Sequence, residues 1–210
     1  MIKKNWKLLV ITSVVILLPI LAGVILWNQL PEQIPSHWNA AGEVDGWSSK
    51  PFSVFGMPLI LLAFHWVCVI ATGADPKQKN HSGKVLQLVF WIIPVLSALL
   101  HAITYATALG KEVRVEAVMP VFMGLLFAII GNYLPKCKQN YTIGIKIPWT
   151  LNSEENWNKT HRLAGRLWTV CGIVIMFVGF FGGFAFLMGI ALVMVIVPLI
   201  YSYVLYRKGI

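Results

Sequence analysis

Charge is scarce in this chain. Lys, Arg, Asp and Glu make up 12% of its 210 residues, about half of the ~25% a soluble domain carries. Acids are scarcer than bases, with 8 Asp and Glu against 17 Lys and Arg, for a net charge of +9. Cysteine is scarce too. Cys68, Cys137 and Cys171 form no Cys-x-x-Cys pair, so neither a disulfide framework nor a zinc ribbon is expected. No HExxH, GxSxG or phosphate-cradling glycine loop occurs, and nothing supplies a nucleophile beside a base. No enzyme, cofactor or catalytic residue is indicated.

What fills the chain instead is apolar sequence: 58% of it is hydrophobic and its mean hydropathy is +0.73. The charges cluster between long apolar runs, the pattern of a polytopic helical membrane protein rather than of a β-barrel, whose segments are short and alternate. Leu8 to Trp27 follows the basic start MIKKNWK and is long enough to span the bilayer, so an uncleaved first helix is expected rather than a signal peptide. Further runs cover Phe52–Thr72, Val85–Leu109 (interrupted by Pro94) and Ala117–Leu134. Leu167 to Tyr206 is too long for one crossing at ~1.5 Å per residue and must fold back, with Gly179, Gly182 and Gly183 the expected place. The fold class is thus all-α, with six transmembrane helices. Residues 1–134 would form a four-helix region and 135–210 a loop plus two helices.

Sidedness follows from the bases. With both termini cytoplasmic, fourteen Lys and Arg fall on inner segments and only Lys50, Lys111 and Arg114 on outer ones. That bias orients the chain and explains the net charge without direct nucleic-acid binding. The loop 28–51 is then outside and net acidic, and the stretch 142–166 inside.

Within that inner stretch, Asn152 and Glu155 suit a helix start resembling a capping box. Trp157, His161, Ala164 and Trp168 follow at spacings that share one helix face. A short amphipathic helix at the cytoplasmic interface, bending into the fifth membrane helix, is expected. It would anchor to membrane lipids, present a docking surface, or both. His65, His101 and Asn132 are polar residues within apolar runs. Such residues are candidate functional sites by default, although histidines bonded to neighbouring helices are the commoner case. His65 and Cys68 share a helix face but have no third or fourth ligand, so no metal site is expected.

Two motifs carry a resemblance. The loop LPEQIPSHWNAAGEVDGWSSKP, with Pro31, Pro35, His37, Trp38, Gly42, Asp45, Gly46, Lys50 and Pro51, resembles the signature loop of the Sdp immunity protein (SdpI) family. The loop IGIKIPWTLNSEENWNKTHRLAGRLW resembles that family's second signature through Gly144, Pro148, Trp149, Thr150, Trp157, Thr160, His161, Gly165 and Arg166. Lys146 stands where the family usually has Arg; the charge is kept and the bidentate fork lost.

The resemblance implies a non-enzymatic membrane protein that protects its cell from a secreted, membrane-active peptide toxin. In the founding system, toxin-engaged immunity protein also draws an ArsR-type repressor to the membrane. On this reading Pro31, Pro35, His37, Trp38, Gly42, Asp45, Gly46 and Lys50 sense toxin. Gly144, Lys146, Pro148, Trp149, Trp157, Thr160, His161, Arg162 and Arg166 dock the cytoplasmic partner. The alternatives are a small transporter using His65, His101 and Asn132, and a membrane enzyme working at the 142–166 interface. The oligomeric state is not set by the sequence.

Overall fold

A computed structural model of the chain describes residues 2–181 and 184–210. Every long apolar run becomes a helix: α1 (Trp6–Ile25), α2 (Met57–Gly73, entered through a π-helical turn at Phe52–Gly56), α3 (Gly83–Ala108) and α4 (Val115–Tyr133). A five-residue α5 (Pro148–Asn152) precedes α6 (Glu154–Phe180) and α7 (Phe184–Arg207). Six of these helices are long and apolar enough to cross a membrane, and the protein is a multi-pass membrane protein. Pro94 lies inside an unbroken α3, as membrane helices allow when neighbours satisfy the freed carbonyl.

The loop after α1 departs from helix. It folds as an antiparallel hairpin of β1 (Gln33–Trp38) and β2 (Val44–Ser49), the two strands found among the described residues. Pro31 and Pro35 bar a helix here, while Ile34, Trp38, Val44 and Trp47 favour strands.

The chain forms two compact units. The first comprises the residues through Gly73 together with Leu86–Val115; the second comprises Ala74–Val85 and Glu116–Ile210. In the first, Leu9, Thr12, Ile16, Pro19 and Gly23 form the buried stripe of α1 at alternating three- and four-residue spacing. Pro58, His65, Val69 and Thr72 do the same on α2. Leu9, Val69 and Phe90 pack at one end; Leu30, Ile34, Val54 and Tyr105 pack beneath the hairpin.

The second unit rests on glycine. Gly165, Gly172 and Gly179 recur every seven residues along α6 and meet Gly131, Gly124 and Pro120 of α4, in antiparallel order. A Cβ added at Gly172 would stand 2.5 Å from both the Ala128 nitrogen and the Gly124 carbonyl oxygen. Small residues let membrane helices approach this closely. Gly179 therefore packs inside α6 and does not form the turn expected there. The break falls between Phe180 and Phe184; Gly182 and Gly183 lie outside the described residues.

Candidate functional site

The hairpin is built to hold a fixed shape. At its tip the Asn39 side-chain oxygen accepts from the Ala41 and Glu43 N–H groups at 2.9 and 3.0 Å, and Gly42 takes φ +80°, a region glycine enters without cost. At its base Lys50 is 5% exposed. Its ammonium donates to the Trp27 carbonyl at 3.2 Å, pairs with Glu32 at 2.8 Å and lies 5.2 Å from the centre of the Trp27 ring. The Lys50 N–H also donates to the Glu32 carbonyl at 2.9 Å. Ser48 and Ser53 hydroxyls meet at 2.6 Å, tying β2 to the start of α2.

The expected residues of this loop divide by exposure. Pro35 is buried, beside the equally buried Ile34, which was not among them, and Lys50 clamps the base. Pro31, His37 and Asp45 are exposed, Trp38 is half-buried, and Gly42 and Gly46 shape the backbone. His37 Nδ1 and Asp45 Oδ1 face each other across the strands at 2.5 Å, above Gly46, where a Cβ would crowd the His37 Cβ at 2.9 Å. Trp47, 57% exposed between Asp45 and Ser49, is the residue sequence reasoning misses. The sequence carries no alternating signal for it: along Val44–Ser49 exposure alternates but apolar and polar residues do not, and the loop reads first as turn formers.

The second site is the polar cap of residues 74–85 and 137–161. Gly144 lies against the stacked rings of Trp157 and His161, whose centroids are 4.0 Å apart. It has φ +119°, and a Cβ there would meet His161 Nε2 at 2.5 Å, so only glycine fits. The Ile145 N–H donates to His161 Nε2 at 2.9 Å, and His161 Nδ1–H donates to the Trp157 carbonyl at 2.8 Å. A neutral imidazole satisfies both bonds. The Trp157 indole N–H donates to the Cys137 carbonyl at 2.7 Å. Burial pushes the Cys137 thiol up to about 11, which leaves it inert. The Thr150 hydroxyl accepts from the Ile147 N–H at 3.2 Å and donates to the Ile145 carbonyl at 2.7 Å.

Asp75, Gln139, Asn140 and Asn156 are buried here and were not singled out by the sequence motifs. Asp75 accepts from the Thr142 hydroxyl at 2.8 Å and from the Lys77 and Tyr141 N–H groups at 2.7 and 2.9 Å, and lies 3.3 Å from His81 Nε2. Burial alone would raise its carboxyl; the Thr142 hydroxyl, the two N–H donors and His81 together outweigh that and hold it below the usual range. Gln139 donates to the Thr150 and Leu151 carbonyls at 2.8 and 3.0 Å and accepts from Lys77 at 2.6 Å. Asn156 donates to the Ser202 carbonyl at 3.0 Å and accepts from the Ser202 and Thr160 hydroxyls, which fastens α6 to α7.

The expected amphipathic helix is instead the first two turns of α6 itself. Ser153, not Asn152, caps it by accepting from the Asn156 N–H at 3.1 Å; Asn152 closes α5. Its Trp157 face turns inward: Trp157, Thr160 and His161 are at most 1% exposed. Pro148, Lys146, Arg162 and Arg166 are exposed and Gly144 is half-buried. The Lys146 ammonium donates to the Thr142 carbonyl at 3.0 Å. Trp149 lies against Tyr203 and Tyr206, with ring centroids at 5.1 and 6.2 Å.

Each of the three intramembrane candidates has its own partner. His65 Nε2 lies 3.0 Å from the Thr12 hydroxyl, and His101 Nδ1 lies 2.8 Å from the Ser97 carbonyl. Both are buried against neighbouring helices. Asn132 is exposed, with Lys136 at 3.5 Å.

Residues 136–202 match the SdpI/YfhL protein family, and residues 14–62 match a domain of unknown function (DUF1648). The first takes in the 137–161 part of the cap with α6 and most of α7, and the second takes in the hairpin with the later part of α1 and the start of α2. Over 200 residues, 95% of this chain and 92% of the relative, the sequence is 30% identical to the immunity protein SdpI of Bacillus subtilis (strain 168). No solved structure matches the chain.

Proposed function

The chain belongs to the SdpI/YfhL family, and from that premise we propose that it is an immunity protein that protects its cell from a secreted, membrane-active peptide toxin. The observation that carries this reading is the reach of the likeness: it extends over 95% of the chain and so takes in both the hairpin and the cap. The hairpin is the toxin-facing part. Its loop lies outside when fourteen of the seventeen bases are placed inside, and it offers His37, Trp38 and Asp45 on a backbone clamped by Lys50.

The cap faces the cytoplasm and docks an ArsR-type repressor when toxin is engaged. Arg162 and Arg166, one helical turn apart and exposed, support this role. Trp157, Thr160 and His161 serve it from within, by holding the start of α6 in place. Transport through His65 and His101 has less support, because each is bonded within its own neighbourhood.

The test is survival of a toxin-sensitive bacterium expressing this chain and challenged with a purified Sdp-type toxin peptide. The parent chain protects, and His37→Ala/Trp38→Ala, expressed to the same level in the membrane, does not. No protection by the parent would sink the immunity reading for that toxin. Protection by the double variant would remove the sensing role from the hairpin. Arg162→Ala/Arg166→Ala keeps protection and loses recruitment of a fluorescent repressor to the membrane; unchanged recruitment would overturn the docking role.

A further inference from the structure

The hairpin has two free edges, and they are unequal. The phase of its ladder is fixed by the Lys50 N–H donating to the Glu32 carbonyl. In an antiparallel pair, hydrogen-bonded and non-hydrogen-bonded positions alternate. Ile34 and Ser48 therefore exchange backbone bonds, while the pairs Gln33–Ser49 and Pro35–Trp47 turn their N–H and C=O groups away from each other. On β1 this edge is guarded, because Pro35 has no N–H and Pro31 precedes the strand. On β2 the Trp47 and Ser49 amides point outward with no third strand beside them and no other backbone partner among the described residues.

The ladder is irregular toward the hairpin's tip, between Pro35 and His37 and between His37 and Trp38, and the open part of β2 is the stretch Trp47–Ser49 beside its foot. Val44–Ser49 contains no Pro, Lys or Arg, and Asp45, Trp47 and Ser49 are exposed. An edge of this kind is a template for another strand. Its charge is one-sided. Glu32, Glu43 and Asp45 carry the acids of this loop, and its one base, Lys50, is buried at the hairpin's foot.

We infer that β2 receives an extended segment of the secreted peptide as a third strand. The peptide's main chain bonds to the Trp47 amide and carbonyl and to the Ser49 amide, an apolar side chain packs on the Trp47 ring, and a basic side chain faces Glu43 and Asp45. This deepens the immunity reading and rests on it for the identity of the peptide. The side chains select the partner, and the backbone edge holds it.

The experiment uses the full chain in lipid nanodiscs with a purified Sdp-type toxin peptide, read by amide hydrogen exchange at Trp47 and Ser49. Three chains are compared: the parent, Ser49→Ala and Ser49→Pro. Proline at an outward-facing edge position removes the free N–H and spares the ladder, and exchange at Ile34 and Ser48 reports whether the hairpin is intact. The peptide slows exchange at Trp47 and Ser49 of the parent by about tenfold or more, as a ladder bond does. It also slows exchange at Trp47 in Ser49→Ala and fails to do so in Ser49→Pro with an intact hairpin. Glu43→Gln weakens the effect, as does added salt. Absence of slowing in the parent, or equal slowing in Ser49→Pro, overturns strand addition. The immunity reading fails separately, on cell survival: parent cells that survive while these amides exchange freely would leave immunity standing and strand addition refuted.

Discussion

One carboxylate, Asp75, joins the cap's two loops, beside the bonds that Lys77 and Asn80 make to Gln139. It accepts from a hydroxyl and two backbone amides that belong to both segments, 74–85 and 137–147. Because these partners hold its carboxyl below the usual range, the native pKa lies beneath the unfolded value of ~3.9. Its contribution to stability is therefore fully present above that unfolded value and is lost as pH falls through the native one. Amide exchange at Lys77 and Tyr141 is expected to stay slow at pH 5–8 and to quicken, beyond the intrinsic pH trend, as pH falls below about 3.9. Asp75→Asn replaces one acceptor oxygen by a donor and is expected to lose ~1–3 kcal/mol of cap stability at neutral pH. Slow exchange at neutral pH in that variant would show that the carboxylate does not hold the loops. Asp75 was not legible in the sequence, where it reads as one acid in a basic loop. Two of its partners, Tyr141 and Thr142, lie more than sixty residues away. Gly144 and His161 were legible as a pattern, but the pattern does not say that one fits against the other.

Among the elements, the glycine seam of α4 and α6 makes the sharpest contrast. Gly172→Ala puts a methyl group against backbone atoms of α4 that cannot yield by rotating a side chain. The expected cost is ~1–3 kcal/mol, seen as a lower thermal midpoint in detergent. Gly189→Ala on α7 meets nothing within 4 Å and is expected to be neutral or mildly stabilising through helix propensity. Equal midpoints for the two variants would refute close packing of α4 on α6. Sequence alone could not show the seam, because beyond Arg166 every face of α6, like the body of α4, is apolar. In water a buried face stands out from polar ones; in lipid the face toward a helix and the face toward acyl chains are both hydrophobic, and small size is the remaining signal. The same blindness covers the Leu9–Gly23 stripe of α1. The hairpin is hidden for a different reason, since its prolines and glycines read as turns and its six-residue strands show no alternation of apolar and polar residues.

For the whole molecule, six crossings follow from length and hydropathy, and among the described residues six helices satisfy both. The division of labour between hairpin and cap depends on their lying on opposite sides of the membrane, and that sidedness rests on the distribution of bases. The most direct measurement is labelling of single cysteines in intact cells with a membrane-impermeant thiol reagent, in a chain whose Cys68, Cys137 and Cys171 are replaced by Ser or Ala. Ser49→Cys, exposed on the hairpin, is expected to label in intact cells. Arg162→Cys, exposed on the cap, is expected to label only after the membrane is opened. Labelling of Arg162→Cys in intact cells with protection of Ser49→Cys would invert the chain and contradict an outward hairpin that meets the toxin.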